Sequence, residues 1–248
     1  MFRPSQAKKI EKGLESYSIS DDCENIFHLI SCESKTHEGI FKRLSNALRP
    51  KGPGENTDDS TAERVANVLT SLPYAAAGFY ALRKRRNTEG KLWGASLVGV
   101  ACGATAFHLS RGETMRPVCR KADYWMITAS TIALLRAINP QMPNIVSAAT
   151  LMMVPFQPFK ISAANIAAME FEFGRRASRK PALRRAFYKH IASAAVGTAC
   201  FFLEDSTVVD IPLVHAAWHC LSAYATATTN VLLQDVEKDP FDNDDNYK

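Results

Sequence analysis

The sequence predicts an all-α polytopic membrane protein, a helical bundle of about seven transmembrane helices that follows a polar N-terminal extension. Three observations lead to this prediction. Several nearly uncharged runs are long enough to cross the roughly 30 Å hydrocarbon core of a bilayer. The longest extends from Ile211 to Gln234, 24 residues without Asp, Glu, Lys or Arg. Lys and Arg cluster in the connections between these runs, which is where membrane topology places them.

Composition divides the chain into three parts: a polar, partly disordered N-terminal extension (1–60), a transmembrane helical bundle (61–235) and a disordered acidic tail (236–248). The first boundary falls in a stretch rich in Pro, Gly and polar residues that ends near Asp59. The first 20 residues have no apolar core of the kind a secretory signal requires, and they match a transit peptide only weakly. We therefore expect an integral membrane protein, with an endoplasmic reticulum, Golgi or plastid membrane all left open.

Seven segments are candidate membrane spans. The fourth is interrupted by proline, and the fifth is the weakest because it is short and contains Glu170 and Glu172. Arg136 lies near the end of the third, where its long side chain can reach the membrane interface. In chain order the segments are Val65–Leu82, Leu92–Leu109, Tyr124–Ile138, Met142–Phe159, Ile161–Gly174, His190–Leu203 and Ile211–Gln234.

Charge orients this bundle. The basic loops Arg83–Lys91 and Arg175–Lys189 should both face the cytosol or an equivalent compartment, and the acidic loop Glu204–Asp210 should face away. Both basic loops lie on one side only if the fourth and fifth segments either both cross or both fail to cross. A seven-span bundle and a re-entrant hairpin both satisfy this condition. The net charge of +5 is explained by this topology, so we expect no nucleic-acid partner.

Four polar residues converge at the non-cytosolic end of this topology. His108 ends the second span, Asp123 begins the third, and His215 and His219 begin the last. The spacing of four places His215 and His219 on one face of a helix, about one turn apart. Three neutral imidazoles suit Zn²⁺ in a tetrahedral site whose fourth position is water. A carboxylate at Asp123 could hold that water and accept its proton as it attacks a carbonyl carbon.

These residues resemble the CREST superfamily of seven-span membrane proteins, which includes alkaline ceramidases, progestin and adiponectin receptors, and remodelases of GPI-anchor lipids. The family pattern is Ser-x3-His ending span two, Asp beginning span three, and His-x3-His in span seven. Here the matching stretches are Ala104–His108, Ala122–Trp125 and Val214–Ser222, and the resemblance covers roughly residues 65–234. It implies that His108, His215 and His219 bind Zn²⁺ and that Asp123 lies beside the metal-bound water. It also implies ceramidase-like hydrolysis of a membrane lipid amide or ester.

The chain departs from this pattern at the family serine, which is replaced by Ala104. Thr105 carries the nearest hydroxyl and is the candidate substitute in catalysis. The alternative interpretation is a catalytically inactive, receptor-like or structural membrane protein that keeps the bundle, with or without the zinc. A haem held by His108 and one histidine of the last pair is a third possibility.

Other potential ligands are given no role in the chemistry. Cys23, His28, Cys32 and His37 follow the spacing C-x4-H-x3-C-x4-H, but they lack the short C-x2-C unit of most structural zinc sites. We interpret His190 as an interfacial residue. Glu170 and Glu172 are interpreted as partners in interfacial ion pairs with the basic loop that follows them.

Overall fold

The computed structural model describes residues 58, 60–204 and 211–240, all within Lys51–Lys248, the second of two units into which the chain divides. Every regular element in these residues is an α-helix, so the all-α prediction is confirmed for this part of the chain. The candidate site at Cys23–His37, most of the predicted extension and most of the predicted tail lie outside the described residues. The helices are α1 (Thr61–Lys84), α2 (Thr88–Leu109), α3 (Met115–Ile138), α4 (Asn144–Met153), α5 (Pro158–Arg179), α6 (Pro181–Glu204) and α7 (Val214–Lys238).

Side-chain caps fix where the first two helices begin. The Ser60 hydroxyl accepts the backbone N–H of Glu63, while the Glu63 carboxylate accepts the N–H of Ser60, which makes a reciprocal capping box. Asn87 accepts the backbone N–H of Gly90 at 2.8 Å and begins α2 in the same way. The predicted break before the bundle therefore ends at a well-defined helix start.

Three of the described helices are long and apolar enough to cross a bilayer, namely α1, α2 and α6. The helices α3 and α7, with 24 and 25 residues, are equally long but carry more polar residues. The ten residues of α4 extend only about 15 Å, half the thickness of the hydrocarbon core. The described residues thus supply seven helices, but seven membrane spans are not confirmed.

The contacts between α3 and α5 show how the weak fourth and fifth segments are arranged. Thr128 donates to the carbonyl of Pro158 at 3.2 Å, and Asn165 donates to Thr131 at 3.1 Å. Residue numbers rise together along both helices, so α3 and α5 run parallel. Because α5 begins beside Thr128, it starts about 20 Å from the N-terminal end of α3. The segment that contains α4 therefore returns only part of the way along α3, as the re-entrant alternative predicts.

The helices α1 and α2 approach each other through a reciprocal pair of glycines. A Cβ atom on Gly78 would lie 2.5 Å from the Gly94 carbonyl oxygen, and one on Gly94 would lie 2.9 Å from the Gly78 carbonyl oxygen. Real Cβ atoms essentially never lie so close to a backbone atom. Only glycine at both positions lets the two backbones pack this tightly, as small residues commonly do between membrane helices.

We expect Gly78→Ala to destabilise the protein by about 1–3 kcal/mol, because the added methyl group forces the two backbones apart. The measurement is reversible unfolding in detergent. Gly99→Ala on α2 is the matched control, since its Cβ would meet only the flexible end of Met126. Equal stability of the two variants would show that the glycine contact does not hold α1 against α2.

A largely buried ion-pair network fastens α5 to α7 at the end of the bundle opposite the histidines. The Arg176 side chain is 2% exposed and donates to Glu172 at 2.6 Å and to Asp235 at 2.8 Å. Lys180 adds bonds to Asp235 and to Asp239. Glu172 therefore forms ion pairs as predicted.

We expect Arg176→Met to cost about 3–5 kcal/mol of unfolding free energy, because it leaves carboxylates that have lost their buried partner. The readout is again unfolding in detergent. Lys189→Ala is the control, since Lys189 is an exposed cation of the following helix. A loss no greater than that of the control would contradict a structural role for the network.

Candidate metal centre

Three histidines from two helices converge at one end of the bundle. His108 lies in the last turn of α2, and His215 and His219 lie in the first two turns of α7. Their ligand nitrogens all lie within 4.8 Å of one another. His108 and His219 are buried, at 1% and 2% exposure, and His215 is half-buried. The convergence predicted for these three residues is confirmed, and the cluster could hold a metal ion.

The surroundings of His108 fix which of its nitrogens carries hydrogen. Its Nδ1 lies 3.0 Å from both carboxylate oxygens of Asp58. An ionised carboxylate can only accept, so Nδ1 is the donor and the proton sits there. Nε2 of His108 is left with its lone pair.

Contacts with α1 orient His219 in the same way as Asp58 orients His108, with Nδ1 facing hydrogen-bond acceptors. Its Nδ1 lies 3.3 Å from the backbone carbonyl of Asn67, a group that can only accept. The hydroxyls of Thr70 and Ser71 lie 3.2 and 3.4 Å from the same nitrogen, and both already donate to backbone carbonyls of α1. All three groups therefore accept from Nδ1–H, and Nε2 of His219 is also unprotonated.

His215 completes the pattern through the last residue of α6. Its Nδ1 lies 2.7 Å from the carboxylate of Glu204, and its Nε2 is buried without a hydrogen-bond partner. Within the described part of the chain, no hydrogen bond uses Nε2 of any of the three histidines. In a neutral imidazole whose Nδ1 is the donor, Nε2 keeps a lone pair that a cation can bind. Outer acceptors on Nδ1 are also the usual companions of metal-bound histidines.

The packing of the three rings bears on which metal group could bind. Their centroids are separated by 4.5 to 5.1 Å, with each pair nearly edge to face. This spacing leaves no room for a porphyrin between His108 and either histidine of α7. The haem alternative is therefore not supported, and a single ion fits the cluster better.

Asp58 lies outside the helices but is part of this site. Burial would raise the pKa of its carboxyl, yet hydrogen bonds from His108, Asn67 and Arg116 outweigh that effect and hold the pKa well below its usual range. Asp58 is therefore ionised, as the assignment of the His108 proton requires. Arg116 adds a cationic group at 2.8 Å and packs its guanidinium over the Phe107 ring.

Asp123, predicted to assist the chemistry, is buried beside the cluster. It is 7% exposed, and its Oδ1 is buried with no hydrogen-bond partner. Its carboxylate is not part of the cluster formed by the three histidines, but it is close enough to His215 for an electrostatic interaction. Gly103 on α2 permits this placement, because a Cβ there would lie 3.2 Å from the Asp123 Cα atom. Its assignment to catalysis stays a prediction.

The hydroxyl predicted to replace the family serine does not join the cluster. Ala104 is buried in α2, and Thr105 is half-buried and makes no hydrogen bond to a histidine of the cluster. The hydroxyls nearest His219 come from elsewhere: Thr70 and Ser71 on α1, and the hydrogen-bonded pair Tyr74 and Ser222. The Tyr74 ring packs edge-on against His219 with centroids 6.2 Å apart.

A second buried imidazole, His190, pairs with Glu170. His190 is 2% exposed, and its Nε2 lies 2.7 Å from a Glu170 carboxylate oxygen. Its Nδ1 donates to the Ala225 carbonyl at 2.9 Å. His190 is therefore enclosed within the bundle, and Glu170 pairs with it across α5 and α6 instead of with the basic loop residues.

Sequence reasoning missed several groups of the site: Asp58, Asn67 and Glu204. Asp58 and Asn67 act across 50 and 152 residues and Glu204 across 11, and no local spacing indicates any of these contacts. The one available signal was an isolated polar residue in an apolar helix, since Asn67 is 1% exposed in α1. No family model, curated protein or solved structure matches this chain.

Proposed function

We propose that this protein is an intramembrane zinc-dependent hydrolase that cleaves an amide or ester bond of a membrane lipid. The observation that supports it best is the cluster of three histidines whose ligand nitrogens lie within 4.8 Å of one another at one end of an apolar helix bundle. A site built for structure alone closes all four positions around zinc, whereas three histidines leave one position open. That open position is what a zinc hydrolase requires.

The ligand chemistry favours zinc over other ions. Imidazole nitrogen suits Zn, Cu, Fe and Ni, while Mg²⁺ and Ca²⁺ prefer oxygen ligands. Three imidazoles with an open fourth position are typical of a catalytic zinc centre. When bound there, zinc supplies a water molecule whose pKa is lowered to about 7.

The surrounding residues would provide the rest of the chemistry. Asp58, Glu204 and the α1 acceptors hold the three rings with Nε2 turned inward. In this proposal Asp123 would accept the proton of the attacking water and return it to the leaving group. A lipid is the substrate class because α2, which carries His108, is long and apolar enough to lie in a bilayer. The resemblance to the CREST superfamily supports the same reaction.

The proposal is tested with detergent-purified protein and a panel of ceramides and other lipid amides and esters. We expect fatty acid release that stops after removal of zinc by a chelator and returns when zinc is restored. Zinc-loaded protein that releases nothing from the whole panel would contradict a hydrolase and leave the metal site standing.

That outcome would favour the second candidate, a catalytically inactive, receptor-like or structural protein that binds the metal. The observation on its side is Ala104, which places a methyl group where the CREST family carries its serine hydroxyl. The two candidates differ in turnover and agree on metal content, so the lipid panel separates them.

A further inference from the structure

Asp58 is unusual because it precedes the first helix of the bundle and is nonetheless buried. Its side chain has no exposed surface, and its backbone adopts a left-handed conformation with φ of 73°. That conformation is uncommon outside glycine, although aspartate is among the residues that tolerate it best. Such a backbone persists when surrounding contacts hold it in place.

Those contacts come from three helices. From α1, Asn67 donates to the Asp58 carboxylate at 2.7 Å and Arg64 donates to its backbone carbonyl at 3.3 Å. From α2, His108 donates through Nδ1 at 3.0 Å. From α3, Arg116 donates to the carboxylate at 2.8 Å. One residue thus ties the site end of α1, α2 and α3 together directly behind a metal ligand.

Orienting one imidazole requires a single acceptor, and His215 has that arrangement with Glu204. Asp58 instead accepts from a neutral amide, an imidazole and a guanidinium at once. Hydrogen bonds between charged groups are roughly twice as strong as neutral ones. His108 can swing away from a bound ion only if its bond to this anchored carboxylate breaks.

We propose that Asp58 is a clamp that controls how long the protein retains its metal. It holds His108 in place because Arg116 on α3 anchors the Asp58 carboxylate. This inference rests on the proposed metal centre and is independent of hydrolysis. Asp58 is a positioning residue, since it acts on the ion only through His108. Its main effect is on the rate of metal release.

The experiment measures zinc release from the full-length, zinc-loaded protein in detergent, with excess chelator and a zinc indicator and with no lipid substrate. We expect Asp58→Asn to speed release at least tenfold, in line with the roughly 10- to 100-fold effects of lost outer partners on metal affinity. Arg116→Gln leaves the Asp58 carboxylate in place but removes the guanidinium on α3 that anchors it. This variant should also release zinc faster than the wild type. Glu63→Gln is the matched control, because Glu63 caps α1 without touching the cluster.

Each outcome decides the matter. Wild-type release rates in Asp58→Asn would overturn the clamp while the metal centre stands. If Asp58→Asn does not fold, Arg116→Gln carries the test, and an unchanged release rate in that variant would overturn the clamp. A purely structural role would lower the melting temperature of the metal-free protein and leave the release rate unchanged. Wild-type protein that never binds zinc would instead overturn the metal centre itself.

Discussion

Replacing His108 or His219 with alanine is expected to reduce bound zinc from about one ion per chain to near zero. Each substitution removes one of three nitrogen ligands, and two imidazoles do not form a catalytic zinc site. Zinc is measured by elemental analysis of protein purified in detergent. The stabilisation that added zinc gives the wild type should disappear in both variants, because an ion stabilises only a protein that binds it in the folded state.

His190→Gln is the matched control for these substitutions. His190 is as deeply buried as His219, but both of its ring nitrogens have hydrogen-bond partners, namely the Ala225 carbonyl and Glu170. We expect it to lose stability and to keep its zinc. Zinc retained in His108→Ala and His219→Ala, or lost equally in His190→Gln, would contradict the assignment of the ligands.

Asp123→Asn is expected to lower lipid hydrolysis by roughly 10²- to 10⁴-fold, the usual contribution of a general base. The amide preserves the shape of the side chain but cannot accept the proton of the attacking water. Zinc content should stay at the wild-type value, since the Asp123 carboxylate is not part of the histidine cluster. The assay is fatty acid release from the most active lipid of the panel.

The melting temperature of Asp123→Asn provides an independent test. Oδ1 of Asp123 is buried without a hydrogen-bond partner, so the native carboxylate is itself costly to fold. Asp123→Asn should therefore melt at the same temperature as the wild type or above it while losing activity. A variant that loses activity only because it unfolds would argue against a role in the chemistry. Glu113→Gln, an exposed carboxylate of the α2–α3 connection, is the control for charge alone.

The clustering of the three histidines could be predicted from the sequence because their placement depends on short-range and topological rules. His215 and His219 share a helix face through their spacing, and His108 joins them because α2 runs opposite to α7. These rules need only helix geometry and the direction of each element. The same rules predicted that Asp123 would begin the next helix at that end of the bundle.

The residues that set the protonation of the ligands could not be predicted in this way. Asp58 meets His108 across 50 residues, and the Asn67 carbonyl meets His219 across 152 residues. Such pairings depend on the rotation of each helix about its own axis, which small contacts such as that between Gly78 and Gly94 decide. Hydropathy does not carry that information.

The fourth segment shows a different limit of structure prediction from sequence. Met142–Phe159 carries no charged residue, and hydropathy alone does not distinguish a span from a re-entrant piece. Local sequence limits the length of α4 at both ends. Pro143 precedes α4, and the chain turns after Met153 before Pro158 begins α5. The apolar run of 18 residues is therefore divided between a ten-residue helix and the beginning of the next one.

The central claim is that three Nε2 atoms hold one zinc ion with an open fourth position, and X-ray absorption at the zinc edge tests it most directly. The proposed metal centre predicts one zinc per chain with three imidazole nitrogens at about 2.0–2.1 Å and one oxygen ligand. The His219→Ala variant should give no such signal. A wild-type protein without zinc, or a shell that contains thiolate sulfur at about 2.3 Å, would contradict the claim.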